Sequence, residues 1–592
     1  MKQENHIDAS LSTRSIEDHL QRILASKEFA SSARMSRFLR FAVERALSGQ
    51  SEQLKEYVLG VEVFDRKESY DPRVDPIVRV EARRLRSKLE SYYASEGSAD
   101  ELIIEFPKGT YAPVFRERAE PVAPAGTART GAIAVLPFSN LSSEPDTEYF
   151  SDGLTEELIH GLTKLDGLMV VAWSSAARLK GQPYDVREIG RQLNVSTVLV
   201  GSVRGFGDRL RVIAQLVDTS SGRYLWSENY DRQIEDLFAI QEEISRAIVR
   251  TLRLKLIAPS IQRDAYNLEA YNLYLKGRFQ WNKRTAEGLK RSVQLFEQAI
   301  AVDHGFALGY AGLSDAYSLL ADYGLVKPAD IIPAAESAAR RALEIDPTLA
   351  EAHASLGLIR SLHAWEWAEA EQHYRQAIDL NPGYATAHFW FAIDYLGMIG
   401  RWEEAFQEIE VALQLDPLSP IIREGKGFLL MVCKRYDEAI EEYRQTLDLD
   451  CFFYKAFTSM GRAYTQKGMY EEAISMLQKG RSLSGDMPNI LGALGQTYAL
   501  ANRPADARRL LEELAELSKR RHVSSTCFAL IHLGLGEKQR ALDWLETGAR
   551  GRETSLAGLK VHPAYDGLRG EPRFQALLRE LGLTGAAVSA EY

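Results

Sequence analysis

Five cations fall within a ten-residue window of this chain: Arg79, Arg83, Arg84, Arg86 and Lys88. Arg79, Arg83 and Arg86 step by four and three, the spacing of one helix face, while Val78, Ala82, Leu85, Leu89 and Tyr92 step by four, three, four and three along another. Such a helix packs one side and offers the other to anions. Guanidinium groups neutralise phosphates and read guanine edges bidentately, although a solvated charged face has the same pattern. Asp152, Glu156 and Glu157 have the residue types for acid–base or metal chemistry, but they follow Ser151 at what reads as a helix start, where carboxylates complement the helix dipole. No GxxxxGK[ST] loop, HExxH, GxSxG elbow or kinase signature set occurs. The expectation is therefore no catalytic residue, no metal ligand and no cofactor.

The elements that must carry the basic window are helical. Ile16, Leu20, Ile23 and Leu24 recur at spacings of three and four, as do Met35, Leu39 and Val43, with Arg34, Arg37 and Arg40 on the opposite side of that second helix. A short helix from about Leu54 to Val63 follows, and Pro76 suits the first turn of the basic helix. Leu102 to Phe106 and Tyr111 to Phe115 read as strands joined at Pro107-Lys108-Gly109-Thr110. This order, with Val78-Arg79-Val80-Glu81-Ala82-Arg83-Arg84-Leu85-Arg86-Ser87-Lys88-Leu89, resembles the OmpR/PhoB-type winged-helix DNA-binding domain. The resemblance implies that residues 1–116 form a winged helix. It also implies that the basic helix enters the major groove of double-stranded DNA and that the Ile104 to Tyr111 wing, with Lys108, meets the neighbouring backbone.

Residues 117–130 are rich in Pro, Ala, Gly and Thr and read as a linker. From 131 to 260 strands and helices alternate: a strand at Ala132 to Leu136, a helix at Ser151 to Leu162, a strand at Leu168 to Trp173, a helix at Val186 to Leu193 and a strand at Val198 to Val203. Strands Leu210 to Asp218 and Tyr224 to Tyr230, and a long helix from about Ile234 to Leu256, complete an α/β domain. Ile133-Ala134-Val135-Leu136-Pro137-Phe138, the Phe150 to Leu158 segment and Val198 to Val203 resemble the TolB-like domain. That resemblance implies a bacterial signalling protein, since the module is commonly joined to helical repeat arrays and sometimes follows a nucleotide cyclase. Residues 1–116 are too short and too helical to be a cyclase.

Ala370, Ala405, Ala439, Ala473 and Ala507 are spaced 35, 34, 34 and 34 residues apart. Asp346-Pro347, Asn381-Pro382 and Asp416-Pro417 close successive units, since a residue before proline is pushed out of the α region. Leu356 and Gly357 precede Ala370, Tyr374 and Ala377; Met460, Gly461 and Tyr464 precede Ala473 and Leu477. Register, small residues and prolines together identify residues 261–550 as resembling tetratricopeptide repeats. The family's stacked hairpins imply a concave surface for an extended protein or peptide partner. The register places Phe389, Ile421, Phe428, Lys455, Thr458, Arg462, Asn489 and Gln496 on that inner face. Residues 551–592 read as a capping helix and tail, with Arg573, Arg579 and Glu580 supplying a polar outer side.

At 592 residues the chain needs several cores. Hydrophobic residues make up 45% and charged residues 26%, which excludes global disorder; a net charge of -10 argues against indiscriminate coating of nucleic acid. Cys433, Cys451 and Cys527 have no metal or disulfide spacing, and neither a secretory signal nor an apolar run of membrane-spanning length is visible. The expected fold class is multidomain: a mostly α winged helix with a β-hairpin, a central α/β domain and a C-terminal α-solenoid. The expected function is a cytoplasmic DNA-binding regulator or signalling scaffold that recruits a protein partner, with no membrane contact. The alternatives are an adaptor without DNA binding, or a small-ligand sensor or enzyme using the α/β domain; a homodimer is left open.

Overall fold

The computed structural model describes residues 13–584, apart from 118–128, 234–239, 248–266 and shorter internal stretches, and apart from some side chains within the described elements. It divides into two compact units, 1–127 and 128–592.

In the first unit, α1 (Thr13–Ala25), α2 (Lys27–Ala30), α3 (Ala33–Leu47), α4 (Glu56–Glu62) and α5 (Ile77–Ala94) precede an antiparallel hairpin of β1 (Leu102–Glu105) and β2 (Val114–Glu117). The apolar stripes read from the sequence are the ones that pack: Ile16, Leu20, Ile23, Met35, Leu39, Val43, Val78, Ala82, Leu85, Leu89 and Tyr92 are all buried in one core. Burial of each large aliphatic contributes about 1.5–3 kcal/mol. One buried polar cluster ties α1 to α5 and to the hairpin. The His19 ring lies 2.9 Å from the Tyr93 hydroxyl, which accepts the Ile104 amide at 2.7 Å, while the Tyr92 hydroxyl donates to Asp100 at 2.6 Å.

In the second unit, a six-stranded sheet has the order β5 (Met169–Val170), β3 (Arg129–Val135), β6 (Val195–Phe206), β7 (Arg209–Asp218), β8 (Tyr224–Gln233), and β4 (Ser139–Asn140) also pairs with β6. The β3 pairings and the β4–β6 pairing are parallel, whereas β6, β7 and β8 are antiparallel. α6 runs from Asp146 to Thr163, so Ser151 and Asp152 stand inside the helix and do not cap it. Asp152 instead pairs with Lys180 at 2.7 Å. α7 (Trp173–Ala177) replaces the end of the expected strand at Leu168 to Trp173, and α8 (Val186–Gln192) is capped by the Asp185 side chain. Most of the helix expected from Ile234 to Leu256 lies outside the described residues.

Eight helical hairpins follow, from Leu268–Asn282 paired with Ala286–Val302 to Ser525–Gly534 paired with Lys538–Arg550. Each apposition is small against large: a Cβ at Gly357 would come within 2.9 Å of the Tyr374 ring, one at Gly427 within 2.4 Å of Tyr443, and one at Gly461 within 2.6 Å of Leu477. The spacing irregularity has a structural cause. In the third and fourth hairpins the first helix contains a π turn, Arg360–Ala364 and Phe391–Leu396, and the alanines that follow, Ala370 and Ala405, are the pair spaced by 35. One inserted residue is absorbed as an i→i+5 turn, which leaves the stacking register intact.

Those two hairpins also share a histidine device. His353 and its counterpart 35 residues on, His388, each place Nε2 on a preceding proline carbonyl, at 3.4 Å from Pro347 and 3.0 Å from Pro382. Nδ1 then meets the second helix: His373 at 3.1 Å in one hairpin, Glu408 at 2.5 Å in the next. Burial lowers the pKa of His353, and burial, followed by the fields of His353, Arg360 and Arg340, lowers that of His373 to about 4. Both are therefore neutral in the fold at a pH where an unfolded histidine takes up a proton. Their contribution is complete above about 6.5 and is lost as pH falls from there towards about 4. His373→Glu would reproduce the His388–Glu408 pairing one hairpin earlier. The expected outcome is a higher melting temperature at pH 5.5 with little change at pH 8, and a His353 pKa moved upward by NMR titration; an unchanged pH profile would refute the assignment.

Candidate functional site

Two places in the molecule gather the side chains that the sequence singled out, and a third lies where the α/β domain meets the array. The first is α5. Its Arg79 and Arg83 occupy helical positions off the buried stripe, with side chains outside the described ones, and Lys108 lies outside the described residues altogether. Arg84 is 66% exposed and pairs at 2.9 Å with Glu81, whose side chain is 4% exposed. Arg86 and Lys88 differ from the expectation of a continuous basic face. The Arg86 Nε donates to the Phe106 carbonyl at 2.7 Å, at the end of β1, and the Lys88 ammonium sits 5.9 Å from the Phe29 ring centroid. Both side chains are turned towards their own fold, because the end of β1 and the α2 segment lie beside the helix's last turns.

The second place is the inner face of the hairpin array. Phe389 and Ile421 line a cavity against the α/β domain, and Phe428 packs on the array core. The Lys455 ammonium lies 4.4 Å from the Tyr323 ring centroid; burial opposes its charge, but Tyr323, Tyr454, Asp322 and Glu424 outweigh that and hold it protonated. Thr458 is buried and its hydroxyl donates back to the Tyr454 carbonyl at 3.0 Å, with Gly480 of the paired helix against it, so it serves packing within its own hairpin. Arg462 donates to the Asn489 carbonyl at 3.3 Å; the Asn489 side chain is exposed, whereas Gln496 is buried.

Residues 551–583, expected as an outward cap, share a core with the last hairpin and also reach back to the turns of earlier ones. Lys560 donates to the Ile399 carbonyl at 2.9 Å, Trp367 Nε1 donates to the Leu581 carbonyl at 2.7 Å, and Lys434 pairs with Asp566 at 2.7 Å. Ala557 and Val561 join the same core as Leu362 and Met398. Arg573 does meet the expected polar surroundings, pairing with Glu546 at 2.9 Å and Asp543 at 2.7 Å. The sequence signal for this return was the run Leu556, Leu559, Val561, Tyr565 and Leu568, too apolar for a terminal cap alone, and all five are buried.

The third place is the junction of the α/β domain with the array, which sequence reasoning missed. α7 docks on the turns between hairpins. The Ala172 amide donates to the Leu415 carbonyl at 2.7 Å, and the Ser174 and Ser175 hydroxyls both donate to the Asp416 carboxylate. The Ser175 oxygen in turn accepts the Leu418 amide at 2.8 Å, and Arg178 reaches the Leu449 carbonyl at 3.1 Å and Asp450 at 3.8 Å. Asp416 is 4% exposed, and burial raises its pKa despite the serine donors. Beside this junction is a cavity of about 460 Å³, lined by α6, α7 and residues of the first six hairpins.

Nucleophilic and metal chemistry find little footing. Burial pushes the Cys433 thiol up to about 11 and Cys527 up to about 12, away from the thiolate. No group of three or more metal-ligating side chains occurs among the described residues, and none of their helices is long and apolar enough to cross a membrane.

Residues 464–522 match the tetratricopeptide repeat family. The chain is 40% identical over 190 residues to a protein of Rhizobium meliloti (strain 1021) named "Putative adenylate cyclase 3", covering 31% of this chain and 32% of the relative; it thus matches about a third of that relative's length. Among solved structures it is similar to PilF of Pseudomonas aeruginosa, at 24% identity and a TM-score of 0.28, over 36% of this chain and 95% of that one. It is also similar to the human IFIT1 dimer, at 16% identity and a TM-score of 0.38, over 54% and 82%.

Removing the Asp416 carboxylate would leave two serine hydroxyls without their acceptor, at a cost of about 1–3 kcal/mol for each that stays buried. In Asp416→Ala, amide exchange of α7 is expected to accelerate while exchange in the last two hairpins stays unchanged; equal α7 protection in variant and parent would refute the docking role. The eight stacked hairpins form a C-terminal helical repeat array like a tetratricopeptide solenoid, and residues 464–522 within it match that family.

Proposed function

We propose that this chain is a cytoplasmic regulator that acts by binding and not by catalysis: its N-terminal unit holds double-stranded DNA, and its repeat array receives a protein or peptide. The observation that carries the DNA reading is the division of α5. Val78, Ala82, Leu85, Leu89 and Tyr92 are buried, Arg84 off that stripe is 66% exposed, and an antiparallel hairpin follows in the position of a wing. A helix anchored by one side and cationic on another suits insertion into a phosphate-walled groove. Arg79, Arg83 and Arg84 are the side chains read as meeting DNA, with Lys108 on the backbone; Arg86 and Lys88 hold the helix to its fold.

Tetratricopeptide repeats support protein–protein interaction, and Phe389, Ile421, Phe428, Lys455, Arg462 and Asn489 are the candidate contacts. The α/β domain is read as TolB-like, on the segments Ile133 to Phe138, which runs from the end of β3 into the following turn, and Val198 to Val203, which lies within β6.

The test uses the full-length chain with duplex DNA in fluorescence anisotropy across a salt series. Log affinity should fall linearly with log salt, and Arg83→Ala with Arg84→Ala should weaken binding and reduce the slope by about one for each lost phosphate contact. Arg191→Ala, a control in α8, should change nothing. Absence of binding at low salt, or binding indifferent to both α5 substitutions, would leave the adaptor without DNA contact as the reading that stands.

A further inference from the structure

The cavity at the junction of the α/β domain and the array has the size of a small-molecule site, and its contents are uneven in charge. At about 460 Å³ it falls within the roughly 300–1,000 Å³ of ligand pockets. Its carboxylates have partners. Asp416 accepts from Ser174 and Ser175, Asp450 pairs with Arg178, and Glu156 and Glu351 are engaged as well. Behind the wall, Asp315 is taken by Arg278 at 3.1 Å and by the Ser355 hydroxyl at 2.5 Å.

Two lining cations, Lys283 and Arg284, have no carboxylate partner among the described residues, and Lys283 lies over the Phe279 ring at 4.7 Å. Arg284 lines the cavity from the turn of the first hairpin, with its guanidinium 3.6 Å from the Trp281 ring centroid and no side-chain hydrogen bond or ion pair among the described residues. Arg278 lies over the same ring at 4.3 Å, so two guanidinium groups share one indole and only one of them has a carboxylate. Arg284 has φ = 53°, the left-handed turn conformation that Trp365, Lys434 and Asn502 adopt inside other hairpins. Burial depresses its pKa, as expected of a cation short of a counter-charge. Aromatic side chains line it beside aliphatic and polar ones: Trp173, Tyr274, Phe279, Phe389 and Phe453. Rings of this kind take a planar body, and a guanidinium takes two acceptor oxygens side by side.

We propose that this cavity binds a small aromatic anion, a planar ring system bearing a phosphate or carboxylate, whose oxygens meet Arg284 while the ring lies among the aromatic side chains. Because α6 and α7 supply one wall and the repeats the other, such a ligand would tie the two together and strengthen the junction at Asp416. This site is independent of DNA binding by α5.

The experiment is calorimetric titration of the full-length chain with four probes: AMP, salicylate, inorganic phosphate and adenosine. AMP and salicylate separate phosphate from carboxylate as the anionic group; phosphate and adenosine present the anion and the ring system alone. The expected result is saturable binding of AMP or salicylate, at least tenfold tighter than phosphate or adenosine. It should weaken at least tenfold in Arg284→Asn, which keeps a residue tolerant of the left-handed turn, and also in Phe279→Ala. If Arg284→Asn does not fold, Ala177→Trp, which fills the cavity from α7, should abolish binding in its place. Failure of both aromatic anions to bind, equal binding of adenosine, or binding unaffected by these substitutions would overturn the proposal.

Discussion

A helical hairpin cannot bury its own apolar face, and the second unit is organised around that deficit. Several hairpins set a glycine against a large side chain on the partner helix, as Gly357 does against Tyr374, Gly427 against Tyr443 and Gly461 against Leu477, and hand their remaining apolar surface to the next hairpin. Register is therefore under strong constraint. The π turns of the third and fourth hairpins follow from it: an extra residue is accommodated within the first helix because displacing the small–large contact would open a void or force an overlap.

The same deficit explains what happens at the edges. A stack leaves its turns exposed on two sides, and here both sides are used. The turns between hairpins carry α7 through Asp416 and Asp450, whereas the turns within hairpins carry residues 551–583 through Ile399, Lys434 and Trp367. An aspartate placed before proline to end a helix is thereby given a second task, accepting two serine hydroxyls from another domain. The array is consequently both a binding surface and a frame that holds its neighbours.

Much of this was legible beforehand where the pattern is local. In the N-terminal unit every residue of the three apolar stripes read at spacings of three and four is in the core except Leu24, which packs against it. In the α/β domain the strand at Leu168 to Trp173 was read too long, since an apolar run does not say where it stops pairing; Met169 and Val170 pair with β3, and Trp173 already begins α7. The basic window was legible as composition but not as a surface: Arg86 and Arg84 are alike in sequence, and only the position of the Phe106 carbonyl turns the first inward.

The period, the helical hairpins and the small-against-large register are local properties of the chain, because each depends on residues within one turn or one repeat of each other. What covers the edges of the array, what closes around Asp416 and why Arg284 lacks a carboxylate partner depend on the fold as a whole. Those outcomes join residues more than a hundred positions apart, such as Ser175 with Asp416 and Trp367 with Leu581. No spacing rule reaches that far, since the contacts arise only when the curvature of the stack has brought its turns to the α/β domain and to its own C-terminal segment.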